Sequence, residues 1–301
     1  MNGIEINELD FAYKQKELIL SQVTMNVPQG CIYGFLGANG AGKTTTLKLI
    51  LNLLKNKSKG TIKVLGKDVN MHYPSYLGHI GSLIENVSIY SHLTAKENLK
   101  IWSNYYDLQP KRTDEVLEII GLENVSKKKV RNFSTGMKQR LGLGISIMHN
   151  PEILILDEPT NGLDPMGINN LREFLQNLRD EGKTILISSH ILSEIEKLVD
   201  RIGIIKNGSI LFEGTIERLS TLAMSGSKVI VSIDNVEKAK QILQGHFATE
   251  IEGDQLYVST SSQDDINHIV RLIIDNNLKL YEVQQPKKTL ETIFMNLVKE
   301  A

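Results

Sequence analysis

The chain has 301 residues, 41% hydrophobic and 23% charged, an ordinary globular composition far from disordered or collagen-like bias. Lys and Arg number 34 against 35 Asp and Glu, a formal charge of -1, so no global basic field recruits a polynucleotide and no nucleic-acid partner is expected. No apolar run approaches the roughly 18–20 residues of a membrane span, and Met1-Asn2-Gly3-Ile4-Glu5 lacks the blocks of a signal peptide, so the expectation is a soluble, unexported chain. The one cysteine, Cys31, excludes an internal disulfide and reads as core filler in a strand.

Single cores stop growing at about 250–300 residues, which leaves room for one sizeable core and a smaller appendage. The segment 4–27 alternates apolar and polar residues, with turn signals at Asp10 and Lys14-Gln15-Lys16, and predicts a small antiparallel sheet. Residues 31–36 form a near-continuous apolar run, the pattern of a strand covered on both faces, followed by a Gly-rich loop and a helix over 45–54. The middle, about 86–150, is helical, opening on Thr94-Ala95-Lys96-Glu97 as a capping box. Its aromatic stripe of Trp102, Tyr105 and Tyr106, with Leu99, reads as core. Lys127-Lys128-Lys129 reads as a solvated face.

From Ile153 the chain alternates strand 153–156, helix 167–180, strand 184–188, helix 192–198 and strand 201–206, which implies parallel strands with crossover helices. Asn207-Gly208 then marks a hairpin. Small residues around Ser225-Gly226 divide a larger domain, 1–224, from an accessory domain, 225–301. Strands at 229–233, 249–251, 255–259 and 279–284 with helices at 236–244 and 266–275 give that domain a βαββαβ, ferredoxin-like order, closed by a helix over 289–299.

Gly37-Ala38-Asn39-Gly40-Ala41-Gly42-Lys43-Thr44 matches G-x-x-x-x-G-K-[ST] between an apolar strand and a helix, the context the motif requires. Its glycines let successive amides face phosphate oxygens, and the helix N-terminus adds partial positive charge. The expected nucleotide-binding positions are Gly37, Ala38, Asn39, Gly40, Ala41, Gly42, Lys43, Thr44 and Thr45. Lys43 would reach the β- and γ-phosphates, and the Thr44 hydroxyl would bind Mg²⁺. Ile153-Leu154-Ile155-Leu156 delivers Asp157 and Glu158 to the C-terminal end of a strand, where ligands sit in open α/β sheets. Asp157 suits the metal, and Glu158 suits orienting or deprotonating the attacking water.

Phe133-Ser134-Thr135-Gly136-Met137-Lys138-Gln139-Arg140 resembles the L-S-G-G-Q signature of ABC-type ATPases, with Ser134 and Gly136 matching and Thr135 and Met137 departing. Alone, Ser134 would be a helix N-cap. The order of phosphate loop, signature, Asp157-Glu158, Asn161-Gly162-Leu163-Asp164 and His190 extends the resemblance over about 2–220. It implies a P-loop α/β fold with antiparallel and helical subdomains, ATP and Mg²⁺ as ligands, and a homodimer in which Ser134 and Gly136 of one chain close on the ATP of the other. It also implies that His190 contacts the γ-phosphate, that Asp164 acts across the interface, and that Tyr13 stacks on adenine.

ABC cassettes usually carry Gln after the strand that follows the phosphate loop; this chain has Glu85, a harder, charged candidate ligand for Mg²⁺ and a sensor of it. With Ser-Thr-Gly-Met in the signature, it resembles the ATPases of exporters for bacitracin resistance and lantibiotic self-protection. The resemblance implies an ATP-hydrolysing subunit on the inner face of the membrane, powering a separate permease for export of, or resistance to, a peptide antibiotic. The alternative is a soluble ABC-type ATPase or regulator uncoupled from transport. About ninety residues between Lys43 and Ser134 leave no room for the long coiled coils of DNA-repair relatives.

Overall fold

A computed structural model describes residues 1–13, 17–55, 59–85, 88–224, 227–260 and 262–284. The expected turn at Lys14-Gln15-Lys16, the break at Ser225-Gly226 and the closing helix over 289–299 lie outside the described residues. Two compact units divide the chain, Met1–Ile216 and Glu217–Ala301.

The first unit begins with β1 (Asn2–Phe11) and β2 (Leu20–Pro28), then β3 (Ile32–Leu36), α1 (Lys43–Ile50), β4 (Thr61–Val64), β5 (Lys67–Asp68) and β6 (Ile80–Leu83). The helical segment holds α2 (Ala95–Tyr105), α3 (Lys111–Ile119) and α4 (Thr135–Ser146). Next come β7 (Ile153–Leu156), α5 (Pro165–Asp180), β8 (Thr184–Ser189), α6 (Leu192–Ile195), β9 (Arg201–Lys206) and β10 (Ser209–Gly214).

One sheet runs β2-β1-β4-β5. Ile4 faces Val27 and Ile6 faces Met25 across its antiparallel first pair, and all four side chains are buried. The other sheet runs β10-β9-β3-β8-β7-β6, parallel except at the β9–β10 hairpin. Every residue of β3 and β7 is buried, as strands covered on both faces must be. Because β3, β8 and β7 are adjacent and parallel, the loops after Leu36, Ser189 and Leu156 leave from the same sheet edge. At the hairpin, Asn207 and Gly208 take φ of 46° and 77°, the left-handed pair that two-residue turns favour.

Several elements depart from the sequence pattern. Helix α1 spans Lys43–Ile50 rather than 45–54, because Asn52 enters the left-handed region at φ 53°. Helix α6 keeps only Leu192–Ile195 of the expected 192–198. Cys31 is buried in the core, but in the turn before β3 rather than within it, its thiol donating to the Pro28 carbonyl. In α2 the capping box forms and Leu99 is buried, while Tyr105 is 74% exposed and so is not core. At 100° per residue, Leu99, Trp102 and Tyr106 fall within about 60° of one another and Tyr105 about 120° from Leu99, which turns it to solvent.

Helix α7 (Ile216–Met224) begins at the boundary, and the second unit continues with β11 (Ser227–Ile233), α8 (Val236–Leu243), β12 (Thr249–Glu252), β13 (Gln255–Thr260), α9 (Gln263–Asp275) and β14 (Leu280–Gln284). Its sheet runs β12-β13-β11-β14, antiparallel throughout. From β11 onward the element order is βαββαβ. Val229, Val231, Leu256 and Val258 pack with Leu243 of α8 and Ile269 and Ile273 of α9.

Candidate active site

The loop between β3 and α1 is set by glycine. A Cβ on Gly37 would lie 2.5 Å from the Ile205 carbonyl oxygen, so no side chain fits there. Gly42 caps α1 from the left-handed region at φ 111°, with no side-chain cap and no acidic residue in the first turn. By contrast α2, α4 and α5 are each capped by a side chain, from Thr94, Ser134 and Asp164. A first turn left uncapped in this way is a natural anion site. Ala38, Asn39 and Gly40 are exposed on the loop, while Ala41 is buried beneath it.

Lys43 is 5% exposed and folds back over its own loop, donating to the carbonyls of Gly37 at 2.6 Å and Ala38 at 3.3 Å. Its ammonium also lies 3.1 Å from Glu158 Oε1. That oxygen is buried and accepts no hydrogen bond, so the contact is electrostatic rather than a directed bond. The other oxygen, Oε2, lies 2.7 Å from Nδ1 of His190. A carboxylate only accepts, so Nδ1 carries the proton and Nε2 is the second, separate nitrogen. Glu158 holds φ at 47°, a left-handed conformation costing a non-glycine residue about 1–2 kcal/mol. Strain of this kind persists where the surroundings over-determine the geometry.

Those surroundings include a residue missed by motif reading. Ser188, fully buried at the end of β8, donates to Asp157 Oδ1 at 2.5 Å and accepts from the Glu158 amide at 2.9 Å. Its signal was available in the serine pair ending the strand beside Asp157, but no fixed spacing announces it. The Thr44 hydroxyl donates to Asp157 Oδ2 at 2.8 Å. Lys43, Thr44, Asp157, Glu158, Ser188 and His190 therefore converge on one edge of the sheet.

Other expected positions sit elsewhere. Tyr13 lies beyond the end of β1, 58% exposed, its ring edge-on to Phe11 at 5.0 Å and its hydroxyl 3.4 Å from the Thr45 hydroxyl. It is thus beside the phosphate loop and not a half-buried strand tyrosine. Glu85 is bonded to Lys48 of α1 at 2.5 Å, a partner that sequence reading missed. Ser134 caps α4 through the Met137 amide at 3.2 Å, and Asp164 caps α5 through the Gly167 amide at 2.7 Å. Ser134, Gly136 and Asp164 line a separate cavity of about 690 Å³ together with Gly162, Leu163 and Met166. One chain therefore presents two groups, a phosphate loop with its carboxylates and a signature face.

An open parallel sheet carrying a glycine-built phosphate loop, a buried lysine and a strand-end pair of carboxylates defines a P-loop ATPase. A family model described as ABC transporter matches residues 20–161. The chain is 40% identical over 98% of its length to the bacitracin transport ATP-binding protein BcrA of Bacillus licheniformis, covering 97% of that protein. It is 44% identical to the lantibiotic transport ATP-binding protein SrtF of Streptococcus pyogenes over 210 residues, 70% of this chain and 90% of that one. A solved ATP-binding subunit of an ABC transporter superposes with a TM-score of 0.66 at 29% identity, covering 73% of this chain and 92% of that one. The chain belongs to the ABC transporter family as an ATP-hydrolysing, ATP-binding subunit. No helix among the described residues is long and apolar enough to cross a membrane, in keeping with a permease on a separate chain.

Proposed function

We propose that the subunit binds Mg-ATP on residues 37–45, with Tyr13 against the base, and works as a homodimer in which Ser134 and Gly136 of one protomer cover the nucleotide held by the other. Asp164 lies on the same face as the signature and contributes to that interface. The dimer drives a permease in trans at the inner face of the membrane, for export of, or resistance to, a peptide antibiotic. The substrate class follows the bacitracin and lantibiotic transport relatives.

The observation that carries the reading is the bridging of Glu158 between the Lys43 ammonium and the His190 imidazole. When triphosphate enters, Lys43 leaves the Gly37 and Ala38 carbonyls for phosphate oxygens, which frees Glu158 to orient a water with His190. The donor set at Thr44 and Asp157 is all oxygen, hydroxyl and carboxylate, and fits Mg²⁺. Bound there, Mg²⁺ would neutralise charge on the β- and γ-phosphates. The permease meets a groove lined by Leu53, Leu83, Trp102, Tyr106, Ile145 and His149, between β6 and the helical segment.

The test pairs purified protein with cells. The chain should turn over Mg-ATP, and with its permease it should protect cells against a lanthionine or cyclic peptide antibiotic, both lost in Lys43→Ala. Turnover without protection against any such peptide would remove the peptide-antibiotic assignment.

A further inference from the structure

Lys48 stands one helical turn beyond Thr44 on α1, so the two side chains share a face. Its ammonium bonds Glu85 Oε1 at 2.5 Å. Glu85 follows the end of β6 in a left-handed conformation at φ 59°, and its side chain is 58% exposed against 25% for Lys48. The hydrogen bond to Glu85, foremost, makes the ammonium hold its proton more firmly than an ordinary lysine; burial works against it, and the carboxylate charges of Glu85 and Asp157 add to it. Lys48 thus feels the Asp157 carboxylate, which the Thr44 hydroxyl bonds, and is itself bonded to the residue where ABC cassettes usually carry an uncharged amide.

An amide at position 85 would have little to exchange with an ammonium, whereas a carboxylate can bind either an ammonium or a divalent cation but not both through the same oxygen. We propose that Lys48 is a positioning residue that holds Glu85 in the nucleotide-free subunit, and that a divalent cation arriving with nucleotide at Thr44 and Asp157 displaces it from the Glu85 carboxylate. The exchange couples metal occupancy to the segment after β6, and Lys48 sets the cation concentration at which it happens. The inference rests on the site assignment proposed above, but it assigns a role to a side chain outside every motif in the sequence.

Removing a positive charge near a cation site strengthens cation binding whether or not Glu85 takes part, so a single variant does not decide the matter; a double-mutant cycle does. The readout is Mn²⁺ affinity, by electron paramagnetic resonance, of the full chain saturated with the β,γ-imido analogue of ATP. Exposed ion pairs are weak, so Lys48→Met should tighten Mn²⁺ about two- to fivefold with Glu85 present and less than about 1.5-fold in Glu85→Gln. Lys48→Arg keeps the pair and should stay within about 1.5-fold of the parent. Lys48→Gln serves as a second neutral variant should Lys48→Met fold poorly. Equal shifts in both backgrounds, or no shift in either, would overturn the exchange alone. A parent chain that binds no Mn²⁺ with nucleotide would overturn the site assignment and the exchange with it.

Discussion

Two helix N-termini in this chain are proposed to meet phosphate, and they are built in opposite ways. Helix α1 starts at Gly42 with no side-chain cap, behind a loop in which Gly37 excludes even a methyl group. Helix α4 starts at Ser134, whose hydroxyl already satisfies the Met137 amide. The first is an open anion site, the end that would hold nucleotide within one chain. The second is already satisfied in the single chain, and in the proposed dimer its hydroxyl would share or change partners when a neighbour's nucleotide arrives. Affinity should therefore reside at α1, and assembly at α4.

The sharpest break of that comparison removes chemistry while sparing both termini. Glu158→Gln should bind Mg-ATP yet lose about 10²- to 10⁴-fold in turnover, the range of a positioned general base, as measured by phosphate release. A normal rate would take Glu158 out of its role. Next in size, Ser134→Ala should cut turnover about tenfold or more through loss of a phosphate donor, while one-chain nucleotide affinity by fluorescence titration stays near parent. It should also cost about 1 kcal/mol of stability for the lost cap, so a scan of melting temperature accompanies the assay. Equal losses of affinity and turnover would erase the division of labour.

Gly42→Ala tests the open end. Its Cβ would meet the buried Leu20 side chain at 2.6 Å from a φ of 111°, so roughly 1–3 kcal/mol of stability should be lost, read by denaturant unfolding. The smallest effect sharpens the contrast from the far side of α4. Just past that helix, His149 stacks on Tyr106 at 4.4 Å, its Nε2 against the Ile80 carbonyl and its Nδ1 buried without a partner. Burial holds its pKa below the ordinary 6.5, with Arg112 and Lys183 adding to the effect, against the Ile80 hydrogen bond that raises it. The unfolded chain then binds the proton first, so His149 adds no pH dependence well above 6.5 and destabilises the fold as pH falls below it. Between pH 7.5 and 5.5 the melting temperature of His149→Phe should drop about 1–3 °C less than that of the parent.

Legibility followed contiguity. The phosphate loop and the Asp157-Glu158 pair could be read because strand, loop and chemistry lie within a few neighbouring residues whose types have few other uses. The hairpin at Asn207-Gly208 was legible for the same reason. Ser188 was not, because its value comes from β8 lying beside β7, an adjacency that no local pattern encodes. The Lys48–Glu85 pair was invisible for a similar reason, joining residues 37 positions apart. Tyr105 shares the aromatic character of Trp102 and Tyr106, but its angle on α2, not its character, decides its burial, and it faces solvent. Ser134 carried both of its readings at once, a cap in the single chain and an anion donor in the proposed dimer.

The most direct test of a nucleotide shared between protomers is sedimentation of Glu158→Gln with and without Mg-ATP. A monomer that becomes a dimer only with Mg-ATP, and remains a monomer when Ser134→Ala is added, is the predicted result. Nucleotide bound tightly to a species that stays monomeric at every protein concentration would contradict it.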